Sequence, residues 1–247
     1  MGGEMNELLV YLSYKYEGNI FEIYKFLKNK KKINQAEIDI VLKELEEKGI
    51  KYITALDENF PEILKNFRYS PYVLFYKGNI GLLNKKAVCL TGDIESPIVD
   101  INIKKSQNTF LENYPLITND FKNLDQKFVE IYRQNKKEII HVLPYGLDYI
   151  KETINLDTEL YISQYPPQTH AKLFRFKERN ILVSFLAEFL IVYSSKSDSG
   201  ILSLATAFAN NNKEVYCYPG LSYDDGNNYL IKLGANLITQ IAEVQYY

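Results

Sequence analysis

Asp198-Ser199-Gly200 follows the apolar run Phe189–Tyr193 and opens a segment in which Ile201, Leu202, Ala205 and Phe208 recur at helical spacing. A helix that starts where a strand ends offers backbone N–H groups and the positive end of its dipole, a setting that suits a phosphate. Plain N-capping by Ser199 accounts for the same residue. Upstream, Lys172, Arg175 and Arg179-Asn180 are interleaved with Phe174 and Phe176. Phosphates need charge and splayed bases need a stacking face, so this alternation suits single-stranded nucleic acid. An ordinary amphipathic connection would read the same way.

The absences narrow the chemistry. There is no GxGxxG, no GxxxxGK(S/T) and no GxSxG. The two histidines are His141, inside an apolar run, and His170, and neither has cysteines or carboxylates at metal-ligand spacing. Cys89 and Cys217 lie in apolar runs and read as reduced, buried thiols. No catalytic residue, metal or cofactor is assigned, and binding is expected rather than bond-making.

These residues must be positioned by two kinds of chain. Residues 5 to about 50 carry apolar positions at helical spacing: Leu8, Leu9 and Leu12, then Ile20, Ile23, Tyr24 and Leu27, with Gly18-Asn19 as the break. Asn34 with Glu37 three residues on forms a capping-box pattern before Ile38, Val41, Leu42 and Leu45, and Gly49 stops that helix. Lys28, Lys30, Lys31 and Lys32 form a basic cluster, either a solvated loop or a phosphate or partner contact. After Lys51 short apolar runs alternate with helix-length segments. Strands are expected at 73–76, 87–91, 116–118, 139–143, 160–163, 189–193, 214–218 and 236–238. Helices are expected at about 98–112, 122–135, 177–187, 200–211 and 227–233. Near-continuous apolar strands suit a parallel sheet buried on both faces. The expectation is an α/β protein: a small helical N-terminal domain over 1–50 and a Rossmann-like, doubly wound, mostly parallel sheet over 51–247. In such folds ligands sit at the carboxyl ends of the strands.

Composition sets outer limits. The 247 residues carry 29 Lys and Arg against 31 Asp and Glu, a formal charge of −2, with a pI near 5.9. That excludes a wholly basic nucleic-acid binder but not a local basic groove. Abundant Tyr and Phe without Trp fit a low-GC genome. No apolar run approaches the roughly 20 residues that span a bilayer. Met1-Gly2-Gly3-Glu4-Met5 lacks the features of a secretory signal, with Met5 an alternative start, so a cytoplasmic location is expected.

Taken in order, six segments resemble the DNA-processing protein A family (DprA/Smf). They are Leu74–Asn79 with Leu82-Leu83, Val142–Asp148, Ser163–Thr169, Phe176–Ile181, Ser199–Ala205 through Pro219-Gly220, and Gly226–Ala235. The resemblance covers roughly residues 50 to 240. It implies an extended Rossmann core that binds single-stranded DNA without catalysis. It also implies a homodimer that hands DNA to a RecA-type recombinase during natural transformation. On that basis Arg179 pairs a phosphate beside Asn180, Ser199 and Gly200 present helix amides, and Phe176 stacks a base. Lys122, Lys172 and Arg175 line the groove.

The departures from the family pattern lie in its phosphate loops. The family's GSRxxS stretch is here Gly92-Asp93-Ile94-Glu95-Ser96, so its arginine is gone and two acids stand nearby. In Thr118–Asp125 the family's glycines are Asn119 and Asn123, and its arginine is Lys122. Pro144 and Gln168 each replace a further glycine, and the second arginine of the Phe176–Ile181 motif is missing. Loss of glycines hinders close backbone approach to phosphate, and Asp93, Glu95 and Asp120 oppose it. No winged-helix tail of the kind many relatives carry is expected after the sheet. Two other readings remain: a DprA-like paralogue acting as a protein-interaction module, and a nucleotide-cleaving Rossmann enzyme. The second lacks the PGGxGTxxE loop such enzymes carry.

Overall fold

The computed structural model describes residues 2–29, 33–151 and 155–244. The chain begins with α1 (Gly2–Lys15), α2 (Ile20–Lys28) and α3 (Gln35–Glu47). It continues through β1 (Lys51–Thr54), the single turn α4 (Glu62–Lys65) and β2 (Val73–Gly78). Then come β3 (Ala87–Thr91), α5 (Pro97–Asn113), β4 (Leu116–Thr118), α6 (Leu124–Gln134) and β5 (Ile139–Leu143). The last stretch holds β6 (Glu159–Ser163), α7 (Leu173–Leu186), β7 (Ala187–Val192), α8 (Gly200–Asn210), β8 (Val215–Cys217), α9 (Gly226–Lys232) and β9 (Asn236–Leu237). The fold is α/β, as expected. Lys30–Lys32, the main part of the basic cluster, lie outside the described residues.

The chain forms two compact units, one of residues 1–80 and 143–176, the other of 81–142 and 177–247. In the first, α1 to α3 share one buried cluster with the strands: Leu9, Leu12, Ile23, Phe26 and Val41 meet Val73, Phe75 and Tyr161. Asn19 and Asn34 start α2 and α3 by accepting backbone N–H groups of their first turns. Here β1, β2 and β6 are antiparallel, in register Lys51↔Tyr76 and Tyr76↔Ile162.

The second unit is the doubly wound part. Its strands run in the order β5-β4-β3-β7-β8-β9, every pair parallel. All five residues of β3 and of β5 are buried, as a strand covered on both faces requires. The chain winds outward from β3 through β4 to β5, then returns to β3's other side as β7. The topological switch therefore lies between β3 and β7, the place where such sheets open a crevice at their carboxyl ends. Many of the tyrosines are core residues here. Tyr193 stacks on Tyr218 with centroids 5.0 Å apart, and its hydroxyl lies 2.6 Å from Ser106 Oγ. The Ser106 contact gives the buried Tyr193 hydroxyl a partner and helps fix its ring.

Candidate nucleic-acid interface

The crevice is lined by the loops at the carboxyl ends of the strands. After β3, Gly92 is pressed against its neighbours: a Cβ there would come within 2.3 Å of Leu124 Cδ1. A larger residue would have to displace the Leu124 side chain and crowd Ser194, whose Oγ would lie 2.9 Å from that Cβ. Asp93 then bridges the switch. Its N–H donates to Ser194 O at 3.3 Å, and its carboxylate accepts the Lys196 N–H at 2.9 Å. A backbone amide that would suit a phosphate thus already has an anion. Ser194 tightens the crossing by accepting from Ile94 N–H at 3.1 Å and donating to Ile94 O at 2.7 Å.

After β4, the Thr118–Asn123 loop has unusual backbone. Asp120 has φ +52° and Asn123 has φ +69°. Asn123 stands where the family pattern has glycine, and so does Gln168 in the first unit, at φ +65°. The left-handed backbone has outlived the glycines that make it cheap. Asp120 holds His141 of β5 through Nδ1 at 2.8 Å. Phe121 is partly exposed and Lys122 is exposed.

Arg179 is enclosed, at 1% exposure. Its Nη1 donates to Asn119 O at 2.8 Å and Nε to Asn180 Oδ1 at 3.1 Å. The guanidinium lies 5.1 Å from the Phe121 ring centroid. Asn180 Oδ1 also accepts from Asn119 Nδ2 at 3.3 Å. Together Arg179 and Asn180 brace the loop after β4. Phosphate contact by Arg179 itself requires that loop to move.

Ser199 is the N-cap of α8, its Oγ accepting the Ile201 N–H at 3.0 Å. Gly200 is exposed, and a Cβ placed on it would make only an ordinary van der Waals contact, with Phe121 Cζ at 3.9 Å. The structure thus brings Ser199, Gly200, Lys122, Arg179 and Asn180 to one end of the parallel sheet.

Lys172, Arg175 and Phe176 belong to the first unit. Arg175 is 3% exposed, donating to His170 O at 2.5 Å and paired with Glu17 on Nη2. Lys172 is exposed and 3.6 Å from the same Glu17 carboxylate. The Glu17 carboxyl is held below its usual range by the Arg175 hydrogen bond, against the opposing effect of burial. Phe176 is 38% exposed on α7.

Two features are not legible from sequence. Asn227, fully buried, donates to Val192 O at 3.1 Å and Tyr218 O at 2.9 Å and accepts from Ser195 Oγ at 2.6 Å. It ties the ends of β7 and β8 to α9. Beside it Gly226 allows close packing, since a Cβ would fall 2.5 Å from Lys196 O. The second is Asp125, buried in the first turn of α6. Burial pushes its carboxyl up to about 7, against hydrogen bonds from Thr91 Oγ1 and the Phe121 N–H that favour the charged form. Burial also raises the Cys89 thiol and pushes Cys217 up to about 12, which leaves both unreactive. Among the described residues no group of three His, Cys, Asp or Glu is placed to hold a metal ion. Among them no helix is long and apolar enough to cross a membrane.

A sequence model of the family described as DNA recombination-mediator protein A matches residues 51–246. The chain belongs to that family. It is 29% identical over 200 residues to the DNA processing protein DprA of Streptococcus pneumoniae, across 76% of this chain and 71% of that one. Against DprA of Bacillus subtilis identity is 25% over 217 residues, covering 83% and 73%. The crystal structure of the S. pneumoniae DprA superposes with a TM-score of 0.71 at 24% identity, over 100% of this chain and 95% of the other. A structure of DNA processing protein A from Helicobacter pylori, described for its single-stranded DNA binding mode, gives 0.65 at 23% identity, covering 78% and 93%. The Rossmann-like body inferred from the strand–helix alternation is therefore the family fold.

Proposed function

We propose that this DprA-family chain binds single-stranded DNA without catalysing any reaction. The strand would sit at the carboxyl ends of the second unit's sheet. The observation that carries the reading is the convergence there of a capped helix start, partly exposed at Ser199 and exposed at Gly200, with an exposed cation (Lys122) and a partly exposed ring (Phe121). Ser199, Gly200 and Lys122 take the phosphate, and Arg179 and Asn180 hold the loop that presents Lys122. Lys172 and Phe176, exposed on the first unit, are proposed as further contacts in their own right, while Arg175 is 3% exposed and already engaged by Glu17 and His170 O. In the family's setting the bound strand passes to a RecA-type recombinase during transformation, with the chain acting as a cytoplasmic homodimer.

Binding is weak, because Asp93 already occupies the Lys196 amide and Asp120 is close in sequence to Lys122, and it is salt-dependent. Each phosphate neutralised on a single strand contributes about −0.7 to the slope of log affinity against log salt. Two or three contacts give a slope of about −1.4 to −2.1. An anisotropy titration with oligothymidylate and a matched duplex, repeated across salt and with Arg179→Ala, tests this. Preference for the single strand is expected; equal affinity for duplex, or no binding at low salt, refutes it. One observation favours the protein-interaction alternative: the Asp93 carboxylate fills the anion position at the switch. Partner capture by a protein with no oligonucleotide affinity would select that reading.

A further inference from the structure

The solvent face of α2 carries exposed rings and exposed cations together. Ile23 and Phe26 turn inward, while Phe21, Tyr24, Lys25 and Lys28 fall at i, i+3, i+4 and i+7 on the opposite face. Phe21 is 64% exposed and Tyr24 58%, and both lysines are exposed. The segment before β2 adds Tyr69, 46% exposed, with its ring centroid 5.8 Å from that of Phe21. The Arg68 guanidinium lies over the Tyr69 ring at 5.3 Å, and Phe67 supports that ring edge-on at 5.9 Å. Three exposed rings are thus interleaved with three exposed cations, and Glu22 is the one acid on α2. None of these residues takes part in the interface at the parallel sheet.

Leaving rings this exposed forgoes hydrophobic stabilisation, so the fold alone does not account for them. A protein-docking patch concentrates aromatics but is depleted in lysine at its centre. A duplex hides its base faces inside the stack and offers the rings nothing to stack on. A single strand offers both unpaired bases and phosphates, which is what a mixed surface of rings and cations can use. We infer that Phe21, Tyr24 and Tyr69, with Lys25, Lys28 and Arg68, form a second stacking platform for single-stranded nucleic acid on the N-terminal unit. It is separate from the proposed site at the parallel sheet, and the two stand or fall independently.

The test is photocrosslinking of the full chain to an oligothymidylate carrying 5-iododeoxyuridine, with the crosslinked peptides mapped. Anisotropy on the Phe21→Ala/Tyr24→Ala and Lys25→Gln/Lys28→Gln variants accompanies it. The platform predicts crosslinks at Phe21, Tyr24 or Tyr69 that excess duplex does not remove. It also predicts a platform affinity at least about thirtyfold lower for the double ring variant and a shallower salt slope for the double lysine variant. Tyr24→Phe keeps full affinity, because it keeps the ring. All these side chains are exposed, so circular dichroism should show an unchanged fold. Crosslinks confined to 81–142 and 177–247, with both variants binding as the parent does, overturn the platform and leave the sheet site standing. Platform crosslinks that persist when Lys122→Ala and Ser199→Ala have no effect uphold the platform and refute the sheet site. No crosslink at all overturns it, as would be found if the rings served a protein partner.

Discussion

Replacing Asp125 by Asn should stabilise the protein above neutral pH and leave it nearly unchanged near pH 4. Asp125 is 1% exposed, and burial raises its carboxyl from 3.8 to about 7. A carboxyl whose folded pKa lies above its unfolded value binds its proton more tightly when folded. Its favourable contribution is therefore complete below the unfolded pKa and is lost as pH climbs through the folded one. The window runs from about pH 4 to about pH 7. A shift of roughly 3 units at 1.36 kcal/mol each makes the loss about 4 kcal/mol. Asparagine is nearly isosteric and can meet the same partners, its oxygen taking the Phe121 N–H and its amide donating to Thr91 Oγ1. It does not titrate, so the advantage of Asp125→Asn should grow by up to about 4 kcal/mol between pH 4 and pH 8. Urea unfolding followed by far-ultraviolet circular dichroism at unit pH steps measures this directly. Charge at the start of α6 and the nearby Arg179 guanidinium oppose the effect, the helix end by at most about 2 kcal/mol. If Asp125→Asn is less stable than the parent at pH 8, those attractions outweigh desolvation and the reasoning is wrong.

Other single residues carry their own expected outcomes. Asn227→Ala strands two carbonyls at the ends of β7 and β8 and should cost about 2–4 kcal/mol in urea unfolding. Asn123 sits at φ +69° and ψ −114°, strain worth about 1–3 kcal/mol. Asn123→Gly relieves it while losing the 3.1 Å bond to Asp93 O, so thermal unfolding should rise by about 2–4 °C. Ser199→Ala removes the cap of α8, costing about 1 kcal/mol of stability. The same variant should also weaken oligothymidylate binding at low salt, measured by anisotropy.

Much of the body is legible because its strands are buried on both faces. Ala87–Thr91, Leu116–Thr118 and Ile139–Leu143 are near-continuous apolar runs, broken only by His141 and ended by Thr91 and Thr118, and their observed bounds match the expected ones. The short edge strand Lys51–Thr54 is absent from the expected strands because only its last two residues are buried, and no alternation shows in four residues. Helix α7 begins at Leu173 rather than 177, since the exposed Leu173 and Phe174 lie outside any apolar face. Ser199 can be read as a cap because capping is local. The enclosure of Arg179 cannot, because Asn119 O and Val142 O are backbone acceptors brought to it by two other strands. Asp125 gives no local sign of its environment either, since burial from β3, β4 and α6 creates it. Asp93 stands out in the sequence as an acid in a phosphate loop, but its grip on the Lys196 amide is a property of the switch geometry.

Hydrogen exchange of the full chain with and without oligothymidylate at low salt tests binding at the parallel sheet most directly. Slowed exchange is expected in the loop after β4, at 119–123, and across the start of α8, at 199–202. Protection should fade as salt rises, and matched duplex should not reproduce it. Bound oligonucleotide that leaves both segments exchanging at their free rates would contradict a strand seated there.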